Sequence, residues 1–301
     1  MSILVVGSVG LDSVETSAGK VENALGGSAI YFSVAASFFH NPIRLMAVIG
    51  DDFPQEHIHF LQSRAIDLTG LELIQGGKTF RWGGRYTDDP NAALTLFTHL
   101  NVYGDFNPKL PANHKDTHFV FLANINPELQ LSVLQQTTDA KLIVCDTMNL
   151  WINNSRDALI RTLSKVDILI INDSEARLLT DESNLIRAAK AILTYGPNRV
   201  IIKKGEHGAV SLTDSTFFSA PAYPLQIVSD PTGAGDSFAG GFLGYLASTG
   251  DTSEHTIRKA IIYGTVIASF NVEDFSLNRQ RSLTPAEINQ RYSEIQKSVQ
   301  L

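Results

Sequence analysis

The sequence predicts an α/β protein of three layers, α/β/α, built on a mostly parallel central sheet with a small inserted β-lid. Three observations carry this expectation. Short β-rich apolar runs alternate with stretches of helical spacing along most of the chain. Between residues 118 and 203 the runs begin 24–32 residues apart, the separation that strand–helix–strand units need. Runs such as Ile168-Leu169-Ile170-Ile171 are apolar without alternation, as in strands covered on both faces.

Taken in order, the strands are expected at Ile3–Gly7, Arg44–Gly50, His118–Ala123, Leu142–Asp146, Asp167–Asn172 and Arg199–Lys203. Helical spacing is present in Ala29–Phe39, Gln55–Arg64, Pro127–Gln136, Arg156–Lys165 and Leu185–Tyr195. The last third is mostly helical, with helices predicted at 236–248, 254–271 and 285–298. The final helix has a well-formed start: Thr284 as N-cap, Pro285 at the first helical position, and Glu287 three residues after the cap. One segment departs from the alternation. Residues 71–105 read as short strands, Leu71–Ile74, Thr79–Trp82, Arg85–Thr87 and Ala93–Thr98, separated by Gly and Asp turns. They predict an antiparallel insertion, either an edge hairpin or a lid over the carboxyl ends of the parallel strands, with residues 13–25 as a candidate second part.

The 301 residues suit one α/β domain, 1–301, carrying a small lid better than two equal domains. With 44% apolar and 18% charged residues the chain can bury a core. Its 24 basic against 31 acidic side chains, net −7, argue against sequence-independent binding of nucleic acid. A local anion site is not excluded by that balance. The one cysteine, Cys145, lies in an apolar run and rules out an internal disulfide. No signal peptide and no apolar stretch near the ~20 residues of a membrane span are visible, so a cytoplasmic protein is expected.

The chemistry is concentrated in Asp230-Pro231-Thr232-Gly233-Ala234-Gly235-Asp236, followed by Ser237-Phe238-Ala239-Gly240-Gly241-Phe242. A Gly-rich turn opening into a helix offers backbone N–H groups and the positive end of the helix dipole to an anion. Asp236 stands where that anion would bind. A carboxylate there repels phosphate unless it has a task, such as taking the proton of an attacking hydroxyl; otherwise it is an N-cap. Other phosphate motifs are absent: there is no G-x-x-x-x-G-K-[ST], and no G-x-G-x-x-G after a strand.

The stretch Asp230 to Gly241 resembles the C-terminal signature of the ribokinase-like (PfkB) carbohydrate kinase family. Four further similarities follow in the family's order: Gly7 to Asp12, the pair Gly26-Gly27, Asn172-Asp173-Ser174-Glu175, and Lys203-Lys204-Gly205-Glu206-His207-Gly208. The resemblance implies a kinase that moves the γ-phosphate of ATP to a hydroxyl of a sugar or nucleoside. Asp236 would be the general base, and Gly233, Ala234 and Gly235 the anion hole. Asn172 and Glu175 would organise Mg²⁺ through water, while Lys203, Gly205 and Gly208 would border the nucleotide. Asp230 and Thr232 match positions that hold a monovalent cation such as K⁺ in family members. Asp12, Gly26, Gly27 and Asn126 would bind the acceptor.

Some residues depart from ribokinase itself. Tyr31 stands where ribokinase has an amide, an acidic residue expected near Asn126 is missing, and fewer residues separate Asp12 from Gly26. These departures weigh against ribose. Tyr31, Phe32 and Trp82 are candidates to enclose a flat group such as a nucleobase, or else are core. Arg81 and Arg85 could meet a phosphate or carboxylate of the acceptor, which makes a kinase for a phosphorylated sugar the alternative. A non-catalytic sensor on the same fold is a second alternative, against which Asp236 counts. Exposed lid edges over 79–98 predict a homodimer.

Overall fold

The computed structural model describes residues 1–87, 89 and 91–299. The chain begins with β1 (Ile3–Val6), β2 (Gly10–Thr16), β3 (Gly19–Gly26), α1 (Ser28–Ala36), β4 (Ile43–Gly50), α2 (Gln55–Ser63) and β5 (Ile66–Ile74). Next come β6 (Phe80–Tyr86), β7 (Ala93–His99), β8 (Phe119–Leu122), α3 (Pro127–Gln136) and β9 (Leu142–Asp146). Helices α4 (Asn149–Asn154) and α5 (Arg156–Leu163) lead to β10 (Ile168–Asn172), then α6 (Asp173–Thr180), α7 (Leu185–Leu193) and β11 (Arg199–Lys203). A hairpin of β12 (Ala209–Leu212) and β13 (Phe217–Ala220) precedes α8 (Ala234–Thr249), α9 (Glu254–Asn271), α10 (Asn278–Ser282) and α11 (Pro285–Ser298).

Nine strands form the central sheet in the order β13-β12-β11-β10-β9-β8-β1-β4-β5. Pairing is parallel from β5 to β11 and antiparallel only for β12 and β13. The continuous apolar runs are explained by the alternation of side chains along each strand. Ile3, Val5, Ile168 and Ile170 enter one core, together with residues of α1, α8 and α9. Leu4, Val6, Leu169 and Ile171 enter the other, together with residues of α5, α6 and α7. This is the expected α/β/α arrangement.

The small residues of α8 allow helices to approach closely. A Cβ on Gly244 would lie 2.9 Å from Ala36 Cα, and one on Gly241 would lie 3.0 Å from the Tyr263 carbonyl oxygen. The chain thereby packs α8 tightly between α1 and α9, which fixes the helix start that carries Asp236.

A second sheet of four strands, β3-β2-β6-β7, joins the hairpin of residues 10–26 to the segment of residues 80–99. β2 runs parallel to β6, with Gly10 beside Phe80 and Glu15 beside Arg85. Two expectations are corrected here. Leu71–Ile74 does not open the insertion but completes β5, in register with Ala47–Gly50 of β4. Thr79–Trp82 and Arg85–Thr87 are not two strands, because β6 runs unbroken through Gly83 and Gly84. Those glycines read as a turn, but the volume of their missing side chains is filled by the rings of Phe97 and Trp82.

The short helices α4 and α10 contain 6 and 5 residues, too few turns for apolar periodicity to show them, and α6, of 8 residues, follows directly on β10. Among the described residues no helix is long and apolar enough to cross a membrane.

Candidate active site

The strands β1, β4, β8, β9, β10 and β11 all run the same way, so their carboxyl ends share one edge of the sheet. Open α/β sheets bind ligands at this edge. Asp146, Asn172 and Lys203 each end a strand there, and the register sets Asn172 beside Lys203.

The Gly-rich turn meets this edge. Asp230 Oδ1 accepts from the Thr232 amide at 2.9 Å, Ala234 N–H donates to Pro231 at 3.2 Å, and Gly233 takes φ 75° as the N-cap of α8. That left-handed conformation is cheap for glycine and costs other residues roughly 1–2 kcal/mol. The first intrahelical bond runs from Ser237 N–H to the Gly233 carbonyl at 2.8 Å. The amides of Gly235 and Asp236 precede it and have no place in the helical ladder, which leaves them for an anion.

Four charged side chains converge on this turn. Lys203 Nζ lies 3.5 Å from Asp146 Oδ2, and a Cβ on Gly235 would lie 2.7 Å from the same Nζ. Burial and the negative charge of Asp146 hold the Asp236 carboxyl well above the usual carboxylate range, against the pull of Lys203. The same causes push Glu175 up to about 7. Lys203 is buried, yet its affinity for its proton is raised by Asp146, Glu175 and Asp236. Three acids thus share one ammonium. Such a site favours added positive charge, or a proton retained on an acid.

Asp12 lies on β2, the strand shared with the lid. It is 5% exposed, and burial followed by the charge of Asp230 raises its carboxyl to about 7. Gly26 and Gly27 adjoin it: a Cβ at residue 26 would collide with the Asp12 carboxylate, and Gly27, at φ 100°, is the N-cap of α1. The charge of Asp12 also contributes to raising the Asp236 carboxyl, so the two acids stand within reach of each other's fields.

Behind the turn, Asp230 is buried and accepts from Thr232 N and from Ser276 N at 3.0 Å. It has no ion-pair partner among the described residues. A buried polar group of Ser237, Asn271 and Gln280 braces the turn, with Asn271 Nδ2 donating to the Thr232 carbonyl at 2.8 Å. The small sheet also touches the turn, through a 3.3 Å hydrogen bond from the Thr232 hydroxyl to the Tyr86 phenol oxygen. Gly205 and Gly208 lie in the loop after β11 at φ 52° and 78°, and the Asn91 amide packs against Gly205.

Several anticipated residues are already engaged. Asn126 caps α3 by accepting from Glu128 N at 3.0 Å, and no hydrogen bond joins it to the acid cluster. Asn172 and Glu175 form a capping box on α6, which uses Asn172 Oδ1 and one oxygen of Glu175. Arg81 pairs with Asp52 at 2.9 Å and also bonds Asn23, while Arg85 pairs with Glu15 at 3.0 Å. Phe32 is fully buried and stacks on Phe121 with centroids 4.2 Å apart, so it is core and not a nucleobase wall. Trp82 donates to Thr95 at 3.3 Å within the lid.

Sequence reasoning missed Asp146 and Tyr86. Asp146 had a usable signal, a polar residue closing an apolar parallel strand, as Asn172 and Lys203 do. Tyr86 had none, because its contact with Thr232 spans 146 positions of sequence.

The chain is 30% identical over 263 residues to the cytidine kinase of Thermococcus kodakarensis, covering 86% of this chain and 92% of that one. In structure it is similar to the nucleoside kinase of Methanocaldococcus jannaschii, with TM-score 0.77, 21% identity, and 97% and 98% of the two chains covered. The aminoimidazole riboside kinase of Salmonella enterica, complexed with aminoimidazole riboside and an ATP analogue, gives TM-score 0.76 at 17% identity, with 97% and 100% covered. The model of the pfkB family carbohydrate kinases matches residues 2–282, and on that span the chain belongs to this family of ATP-dependent phosphotransferases.

Proposed function

We propose that this kinase phosphorylates a hydroxyl on the sugar of a nucleoside, with Asp236 as the general base. The observation that carries the reading is the buried Asp236 carboxyl in the first turn of α8, where the Gly-rich turn opens into the helix and where the charge of Asp12 is felt. In this mechanism Asp12 accepts hydrogen bonds from acceptor hydroxyls and turns the reacting one towards Asp236. Asp236 takes its proton as the hydroxyl oxygen bonds to the γ-phosphorus of ATP. The bond from that phosphorus to the bridging oxygen breaks, and ADP leaves with the electron pair. The Gly233 and Gly235 amides hold the charge on the transferring group, the Ala234 amide being engaged by the Pro231 carbonyl, and Lys203 contributes fixed positive charge. The cytidine and nucleoside kinase relatives support a nucleoside over a free sugar.

Mg²⁺ suits the residues present. No three acidic, histidine or cysteine side chains among the described residues form a metal cage, while Asp146, Glu175 and Asp236 set three acids against the one ammonium of Lys203 beside the phosphate site. Those features favour a hydrated ion shared with the nucleotide and steered by Glu175 and Asn172. When bound, it would neutralise charge on the phosphates. Asp230, buried and without a counter-ion, with the Thr232 loop beside it, suits a monovalent cation such as K⁺. The pairing of Arg81 with Asp52 and of Arg85 with Glu15 speaks against a phosphorylated acceptor, since both guanidinium groups are already engaged. The lid's exposed strand β7 supports a homodimer.

The test is ADP formation across a panel of nucleosides, free sugars and sugar phosphates, with Asp236→Asn as control. Turnover of a nucleoside that falls by about 10²–10⁴ in the variant is the expected result. Equal turnover in both proteins would remove Asp236 from the mechanism, and activity confined to sugar phosphates would overturn the acceptor class.

A further inference from the structure

A cavity of about 320 Å³ lies between β3, α2 and α10, and none of Asp12, Lys203 and Asp236 lines it. The first turn of α2 contributes Glu56 and His57 to its lining, α10 contributes Asn278 and Arg281, and β3 contributes Leu25. Ser276 completes the wall. Its amide donates to Asp230 at 3.0 Å and its hydroxyl to the Leu25 carbonyl, so the cavity borders the brace behind the Gly-rich turn without entering the acid cluster.

The charged groups of this lining are held apart. The Arg281 guanidinium carbon stands 3.8 Å over the Phe60 ring. That contact fixes the group without consuming its N–H donors, and among the described residues no acid pairs with them. The charge of Glu56 reaches Arg281, yet the two form no ion pair. Glu56 Oε1 instead lies 4.0 Å from Nδ1 of His57, a residue 8% exposed whose Nδ1 has no hydrogen-bond partner among the described residues. A buried polar atom left unmet in a cavity wall calls for an explanation, and so do a fixed base and an acid that share one cavity without meeting. A ligand that carries both signs of charge supplies it.

We propose that this cavity is a binding site for a small zwitterion of the α-amino acid class, its carboxylate held by Arg281 and Asn278 and its ammonium by Glu56. The guanidinium fork matches a carboxylate with two parallel hydrogen bonds. Glu56 disfavours a ligand that is only anionic, and Arg281 one that is only cationic. The volume stands at the low end of the roughly 300–1,000 Å³ of small-molecule sites, which suits a ligand smaller than a nucleotide. Leu25 offers the ligand's side chain an apolar surface. The proposal does not depend on which acceptor the kinase uses.

The experiment measures calorimetric binding and the thermal midpoint of the full chain, without nucleotide or acceptor, against each standard amino acid at millimolar concentration. For each one that binds, the acid lacking the amine and the amine lacking the carboxylate form separate arms, such as propionate and ethylamine for alanine. The expected result is saturable binding of at least one amino acid, with the midpoint raised by roughly 2–4 °C. Each half-ligand should bind at least about tenfold more weakly. Arg281→Gln and Glu56→Gln should each weaken binding about tenfold, with kcat and both KM values unchanged in the absence of amino acid. The Glu56 side chain is 80% exposed, so its variant tests the site even where loss of the Arg281 contact with Phe60 disturbs the fold. Binding by no amino acid overturns the proposal. Equal binding of either half-ligand overturns the zwitterion, and binding that survives both substitutions places the ligand elsewhere and overturns the site.

Discussion

The carboxylate of Asp12 occupies the volume that a side chain on Gly26 would need. Asp12 pairs with Ala24 across the β2–β3 hairpin, so the two strands cannot simply part to make room. Gly26→Ala should displace the carboxylate and, if Asp12 holds the acceptor as proposed, raise acceptor KM tenfold or more. Nucleotide KM should stay the same, because Lys203 and the α8 start are untouched. Steady-state kinetics with each substrate varied in turn checks this, and a rise in both KM values would point to general unfolding of the site.

Asp12 also ties function to stability with a definite sign. Burial and the charge of Asp230 raise its carboxyl to about 7 in the fold, above the ordinary carboxylate range, so between that range and pH 7 the native state binds the extra proton. Stability therefore falls as pH rises through that window. Three pKa units correspond to at most ~4 kcal/mol, present in full above pH 7. Asp12→Asn should unfold at higher denaturant than the wild type at pH 8, and the difference should vanish near pH 4. An equal or lower midpoint at pH 8 would show that the buried charge is not a cost.

The same carboxyls should shape the pH dependence of turnover. In the proposed mechanism Asp12 must be ionised to accept hydroxyl hydrogens, and Asp236 must be ionised to take a proton. Both are held above the ordinary carboxylate range, Asp12 to about 7. The acceptor kcat/KM should therefore fall with decreasing pH from about neutrality, well above the pH expected of a solvent-exposed aspartate. Asp146→Asn removes a negative neighbour of Asp236 and should move this acid limb to lower pH. A limb that stays in place would dissociate Asp146 from the base.

What the sequence made legible follows the range of the interactions. The parallel strands, the cap of α11 and the anion-binding turn are local patterns, visible in runs of 5–15 residues. Gly26-Gly27 and Asp230–Asp236 could be read because a close approach and a left-handed N-cap leave glycine as a local mark. The continuity of β6 was hidden, because Gly83-Gly84 has the composition of a turn and only the rings of Phe97 and Trp82 reveal otherwise. Arg81 looked free in sequence and is bound to Asp52, which lies beyond the end of β4. Tyr31 could be flagged as aromatic near a helix start, but the packing of its ring against Gly233, two hundred residues away, leaves no local mark.

The last prediction concerns the lid. Strand β7 is the free edge of the small sheet, and all seven of its residues are exposed. Leu94 and Leu96, 58% and 49% exposed, stand on this edge strand, Leu96 where the register with β6 shifts between Gly83 and Gly84. An unpaired apolar edge is a liability unless another surface covers it. A second copy of the lid, approaching with its own β7, would bury both leucines and shield the edge by two-fold symmetry. Sedimentation at micromolar concentration should give a mass near twice that of the chain, and Leu94→Lys with Leu96→Glu should reduce it to one. The double variant should keep its thermal midpoint within a few degrees, because neither side chain is packed in the monomer. A wild type that sediments as a monomer would leave the edge uncovered and refute the dimer.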